Sequence, residues 1–165
     1  MQRARSIASA ALTTLARRGD GRASAPASEW RPVMQLEFAF LCDAATEAAG
    51  KLYALGIGID RLQVLALPAR HGRMTLVARL VFGPAEQGPH PFALRLVDAD
   101  GHDVTAPVAG ELTVRSPDGA TGARVNILID VLNTEFRTHG PHELTLSVDG
   151  AGLVILPLDV VLTTN

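Results

Sequence analysis

Little in this chain is built for stacking, cross-linking or phosphate chemistry. Cys42 is the one cysteine, so no intramolecular disulfide staples the fold. Aromatic residues make up 4% of the 165 residues, which leaves few faces on which bases or sugars can stack. Lys51 is the only lysine, and the formal net charge is −2, so no basic field draws nucleic acid or an anionic membrane. No uninterrupted apolar run approaches the roughly 18 residues that mark a membrane-crossing helix. The chain has no Gly-x-Ser-x-Gly elbow, phosphate loop, dinucleotide fingerprint or zinc-protease helix. Gly56-Ile57-Gly58 lacks the third glycine that would make it a phosphate-binding turn.

What is present is a globular composition, 47% hydrophobic and 19% charged. The length suits one domain and a tail. Residues 1–33 stand apart: they are rich in Ala, Ser and Arg, with Arg17-Arg18-Gly19-Asp20-Gly21-Arg22 followed by Ala25-Pro26. They read as a flexible tail or as an over-extended start with Met34 as the real initiator. A secretory signal is the competing reading, with Ala23-Ser24-Ala25 as its cleavage site. Against it, Ser9, Thr13 and Thr14 dilute the apolar stretch, and charges lie between that stretch and the supposed cut.

Residues 34–165 alternate apolar and polar with a period of two, the mark of half-buried strands. Leu36, Phe38, Phe40 and Cys42 alternate with Gln35, Glu37 and Ala39, and are expected to share the buried face. Asp43 to Gly50 is expected to be a loop or a helical turn, and Gly56 with Gly58 a bulge or a sharp bend. Met74, Leu76, Ala78, Leu80 and Phe82 form a second inward set, with Thr75, Val77, Arg79 and Val81 opposite. Phe92, Leu94 and Leu96 form a third, ending in the turn Asp98-Ala99-Asp100-Gly101. Val104 to Val108 reads as a short edge segment and Glu111 to Arg115 as a brief strand, followed by a turn at Ser116-Pro117-Asp118-Gly119. Arg124 to Leu132 carries apolar residues on both faces, which predicts a central strand. Leu144, Leu146 and Val148 alternate with Glu143, Thr145 and Ser147, and Asp149-Gly150 joins them in a hairpin to a last strand at Leu153 to Leu162, where Pro157 marks a bulge or an edge. The fold predicted is all-β: a two-sheet antiparallel sandwich of about eight strands.

Three segments carry a family resemblance. They are Phe38 to Ala45 with Gly50-Lys51-Leu52 and Leu55-Gly56, then Leu94 to Gly101, then Gly140 through Asp149-Gly150 to Leu158. Together they resemble a family of small bacterial β-sandwich domains of unknown function, opening with a Cys-Asp segment before a Gly-Lys-Leu hairpin. The resemblance implies an immunoglobulin-like sandwich and no reaction. His142 stands where such sandwiches often place the phenol of a tyrosine corner.

Few residues carry potential chemistry. Asp98, Asp100 and Asp103 surround His102 in one turn, a grouping that could hold calcium through carboxylate oxygens. The terminal glutamate of a calcium loop is missing, and turn chemistry accounts for Asp-Ala-Asp-Gly equally well. His139 and His142 are expected to be solvated loop histidines rather than zinc ligands, and His71 and His90 to be ordinary loop residues. Cys42 and Lys51 are weighed as nucleophile and reactive amine and read instead as a core residue and a solvated side chain. Asp43 and Asp60 read as turn-fixing residues rather than an acid/base pair.

The expectation is a non-enzymatic protein-binding or assembly module that uses a sheet face or edge strand. Leu128, Leu132, Val77 and Val81 are apolar on faces that should be polar, so they pack under loops or form a contact patch, which a homodimer would suit. The alternative is calcium or small-ligand binding through the Asp98–Asp103 loop. No cofactor, nucleic acid or membrane is expected, and the cytoplasm is the expected compartment, with secretion left open.

Overall fold

The structure is a computed structural model, and it describes residues 34–116 and 122–164. The expectations for residues 1–33, and most of the turn expected at Ser116 to Gly119, lie outside the described residues.

Among these residues the chain is all strand and turn. Ten strands run in order: β1 (Gln35–Cys42), β2 (Ala44–Ala48), β3 (Lys51–Leu55), β4 (Arg61–Val64), β5 (Ala69–Phe82), β6 (Gly88–Asp98), β7 (Val108–Val114), β8 (Ala123–Phe136), β9 (Gly140–Val148) and β10 (Ala151–Leu162). They form a three-stranded sheet β1-β5-β8, a five-stranded sheet β4-β10-β9-β6-β7 and the separate hairpin β2-β3. All pairs are antiparallel except β4 with β10. About eight strands in two sheets were expected; ten in three are found. Among the described residues no helix is long and apolar enough to cross a membrane.

The inward residues of the two larger sheets join one core. Met74, Leu76, Ala78, Leu80 and Phe82 of β5 meet Leu94 and Leu96 of β6, Leu144, Leu146 and Val148 of β9, and Val154, Leu158 and Val160 of β10. Burial of such side chains is worth about 1.5–3 kcal/mol each, which makes this core the main support of the fold.

The additional strands come from the segment after β1. Ala44–Ala48 is a strand, not a loop or a helical turn. It pairs with Lys51–Leu55 through the two-residue turn Ala49-Gly50, whose φ values are 50° and 72°. Positive φ at both central positions matches the twist of a hairpin, and Asp149-Gly150 (53° and 77°) repeats it between β9 and β10. Of the bulge or bend expected at Gly56 and Gly58, the structure has a bend, at Gly56 just after β3, and Asp43 and Gly58 tie this connection to its surroundings by N–H bonds to Leu55 O (3.0 Å) and Leu41 O (2.9 Å).

Three further expectations are corrected. A bulge at Glu37 changes the phase of β1, so Leu36 pairs with Leu80 while Phe38 pairs with Arg79. Ala39 and Leu41 therefore face the core, and Phe38, Phe40 and Cys42 lie on the outer face. Val104 to Pro107 is not an edge strand; β7 starts at Val108 and extends through Val114. Arg124 to Leu132 belongs to β8, which pairs with β5 alone among the described residues and is an edge strand, not a central one. Pro157 pairs in register with Glu143, and the irregularity in β10 falls earlier, between Gly152 and Val154. Since β4 covers β10 only from Asp159 onward, Pro157 lies on an unpaired stretch of edge, where its missing N–H loses no ladder bond.

Candidate functional site

The acidic turn is the first candidate. β6 ends at Asp98, and the turn closes with the Gly101 N–H donating to Asp98 O at 3.0 Å. The Asp98 carboxylate turns back into it, and Oδ1 accepts from the N–H groups of Asp100 (3.0 Å) and His102 (2.9 Å). The His102 N–H, then the Asp100 N–H, hold the Asp98 carboxyl below its usual pKa. Asp103 does not join this group: its carboxylate accepts from Arg95 Nε at 2.9 Å and Nη2 at 3.1 Å. The ligand atoms that do gather, within 4.8 Å of one another, are those of Asp98, Asp100 and His102. A calcium ion takes six to eight oxygens. The turn offers two carboxylates, one already hydrogen-bonded to the backbone, and an imidazole nitrogen. The adjoining hollow of about 380 Å³ is also lined by Glu135 and Arg137, which pair with each other at 3.0 Å. Arg137 and then Arg70 keep the Glu135 carboxyl ionised below its usual range.

Two histidines do structural work that the sequence did not reveal. His90 lies in β6, not in a loop; so does His71 in β5. His90 Nδ1 meets Asp149 Oδ2 at 2.7 Å, and Nε2 meets the Glu86 carbonyl at 3.2 Å. Both partners are acceptors, so the doubly protonated ring suits them best. The Asp149 hydrogen bond raises the His90 pKa above its usual value. His142 is 2% exposed and belongs to β9, so it is not a solvated loop histidine. Its Nδ1–H donates to Gly140 O at 2.9 Å, and its ring meets Phe136 edge-on at 5.3 Å. An imidazole here makes a short backbone bond of the kind a corner phenol would make. Cys42 is fully buried and donates weakly to Thr75 O at 3.6 Å, and burial pushes its thiol pKa up. That makes it an inert thiol, buried on the outer face of its sheet.

The second candidate is the β8 edge with the outer face beside it. Strand alternation places Phe40, Val77 and Leu128 side by side on that face. Val77 is buried, and Phe40 and Leu128 are half-buried, so three of the four apolar residues singled out on the outer face, Val77, Val81 and Leu128, pack within the sheet. Leu132 alone stands out, 55% exposed. Ion pairs fringe the apolar band. Arg73 contacts Asp130 at 3.0 Å, Thr75 Oγ1 donates to Asp130 at 2.6 Å, and Arg79 donates to Asn126 at 2.8 Å while lying 5.1 Å over the Phe38 ring. Arg124 reaches Glu37 at 3.5 Å. Along β8 itself, no backbone hydrogen bond to anything but β5 occurs among the described residues.

The model of a family described as "Family of unknown function (DUF6941)" matches residues 37–161, from β1 to the end of β10. The chain belongs to this family. No curated protein matches it. Among solved structures it is similar to the Pseudomonas fluorescens alkylpurine DNA glycosylase AlkC bound to DNA containing an abasic site analog. There the identity is 12% and the TM-score 0.42, over 78% of this chain and 30% of that one. The chain thus spans less than a third of that protein's length, and a likeness this slight carries no functional argument.

Proposed function

We propose that this DUF6941 domain is a non-enzymatic binding module that takes a partner strand along the open edge of β8. The observation behind this reading is a mismatch. From Val125 to Leu132 the strand carries apolar residues on both faces, with Leu128 and Leu132 outward beside Asn126 and Asp130, yet it has one neighbour among the described residues. Exposed edges of soluble proteins are blunted by lysine, proline, bulges or short length. β8 is 14 residues long and has no lysine or proline. A strand added there gains main-chain hydrogen bonds along its length and side-chain contacts at alternate positions. The reading also takes the two larger sheets as the layers of an immunoglobulin-like sandwich. It makes the domain a binder rather than a catalyst, because Asp98, Asp103, Asp149, His90 and His142 all serve as structural hydrogen-bond partners.

The test is photo-crosslinking in the cell of origin, with benzoylphenylalanine placed at Leu132. The control position is Glu143, exposed on the central strand β9. Adducts at Leu132 and none at Glu143 support the reading. No adduct at Leu132 refutes it.

A further inference from the structure

We infer that the strand docked on β8 is β8 of a second copy, antiparallel, with a twofold axis passing beside Ile127. This inference rests on the reading of β8 as an open edge and names its occupant. Antiparallel pairing of a strand with itself allows only registers that bring core-facing residues opposite core-facing residues; a one-residue slip would set them against outward ones. The outward residues of β8 are Arg124, Asn126, Leu128, Asp130 and Leu132, alternating with core-lining Ala123, Ile127, Ile129 and Val131.

Charge then selects among the registers that remain. Centred on Asp130 or on Arg124, the pairing sets like charges against each other. Centred on Leu128, it faces Arg124 with Leu132 and Asp130 with Asn126. Centred on Ile127, it places Arg124 opposite Asp130 of the other copy, twice over by symmetry, with Val125 against Ile129 and Ile127 against itself. Opposite charges directly across strands stabilise a sheet, and like charges destabilise it. The interface is isologous, as a closed dimer requires.

The residues involved are available. Arg124 is largely exposed, and its 3.5 Å contact with Glu37 is a surface pair of small worth, so the guanidinium is free to swing to the edge. Asp130 already accepts from Arg73 and Thr75, which fix its carboxylate on the outward face. Thr105 and Ala106 line a hollow with Asp130 to Leu132, past the Val125–Ile129 centre of the pairing. The product is one six-stranded sheet, β1-β5-β8-β8-β5-β1.

The experiment is sedimentation velocity on the full chain over a range of concentrations, for wild type, R124D, D130R and the R124D/D130R double variant. The expected result is a concentration-dependent wild-type dimer, weakened about tenfold in each single variant and restored in the double. R124D lies on an exposed side chain, so its readout does not depend on the packing that D130R disturbs. A wild type that stays monomeric overturns the inference, as does a dimer indifferent to R124D or not restored by the double variant. Crosslinking at Leu132 separates this failure from that of the broader reading. Adducts to a different protein, with a monomeric wild type, overturn the self-pairing and leave the open-edge reading standing. No adduct and no dimer overturn both.

Discussion

β5 and β8 are the two longest strands, 14 residues each, paired to each other along nearly their whole length. β5 has β1 on its other side, and from Met74 to Ala78 it is buried on both faces. β8 has the same appetite for apolar surroundings and one neighbour fewer. Its buried positions are interspersed with half-buried and exposed ones, the exposed Leu132 among them. Burial in a sheet thus depends on who stands beside a strand as much as on its own side chains. Two strands that read alike in composition differ in what they leave open.

The largest expected effect tests this difference directly. Leu76→Ala removes a fully buried side chain from β5 and should cost about 2–5 kcal/mol of stability by denaturant unfolding. Leu132→Ala on β8 should stay within about 0.5 kcal/mol. Comparable losses at the two sites would erase the distinction. Next in size is amide hydrogen exchange. The β5 amides from Thr75 to Val81, flanked by β1 and β8, should be slow, whereas alternate β8 amides should exchange quickly in R124D and slow down in the wild type at high concentration. Uniform protection of β8 in R124D would mean its edge is already covered.

A smaller effect concerns the five-stranded sheet, where His90 ties β6 to the β9-β10 turn. Its folded pKa is raised, chiefly by the hydrogen bond to Asp149, so the protonated ring stabilises the fold. That contribution is fully present below its ordinary value of 6.5 and is lost as pH rises through the higher folded value. Melting temperatures of wild type and Asp149→Asn should therefore differ most in mild acid and converge at alkaline pH; curves that stay parallel across that range would contradict the linkage. The smallest expected effect is none. Calcium against chelator should leave the melting temperature unchanged, because Asp98 is held by the turn's own N–H groups and Asp103 by Arg95 of β6. A rise with calcium would restore the metal reading of Asp98, Asp100 and Asp103.

Where alternation is strict and one face is polar, sequence and fold agree. Leu144, Leu146 and Val148 are fully buried, as their spacing implies, and Asp149-Gly150 makes the hairpin its residue types favour. The misreadings have local physical causes. One bulged residue, Glu37, inverts the faces of β1, and no pattern of apolar residues announces it. Ala44 to Ala48 is poor in strand-forming residues and is a strand because Lys51–Leu55 pairs with it. The place of β8 at the edge is a fact of topology, invisible to a pattern that reports only appetite for burial. The acidic turn was legible as a turn. That Asp103 would leave its neighbours for Arg95, eight residues back in β6, was not.

The parallel pairing of β4 with β10 bears on the order in which this chain acquires its shape. Arg61–Val64 finds its hydrogen-bonding neighbour only at Asp159–Leu162, and the Thr163 N–H caps the pair on Val64 O at 2.9 Å. During synthesis β4 leaves the ribosome long before β10 does. It must wait, unzipped, while six other strands emerge. The five-stranded sheet therefore completes last at this rim, and its closure depends on the emergence of β10.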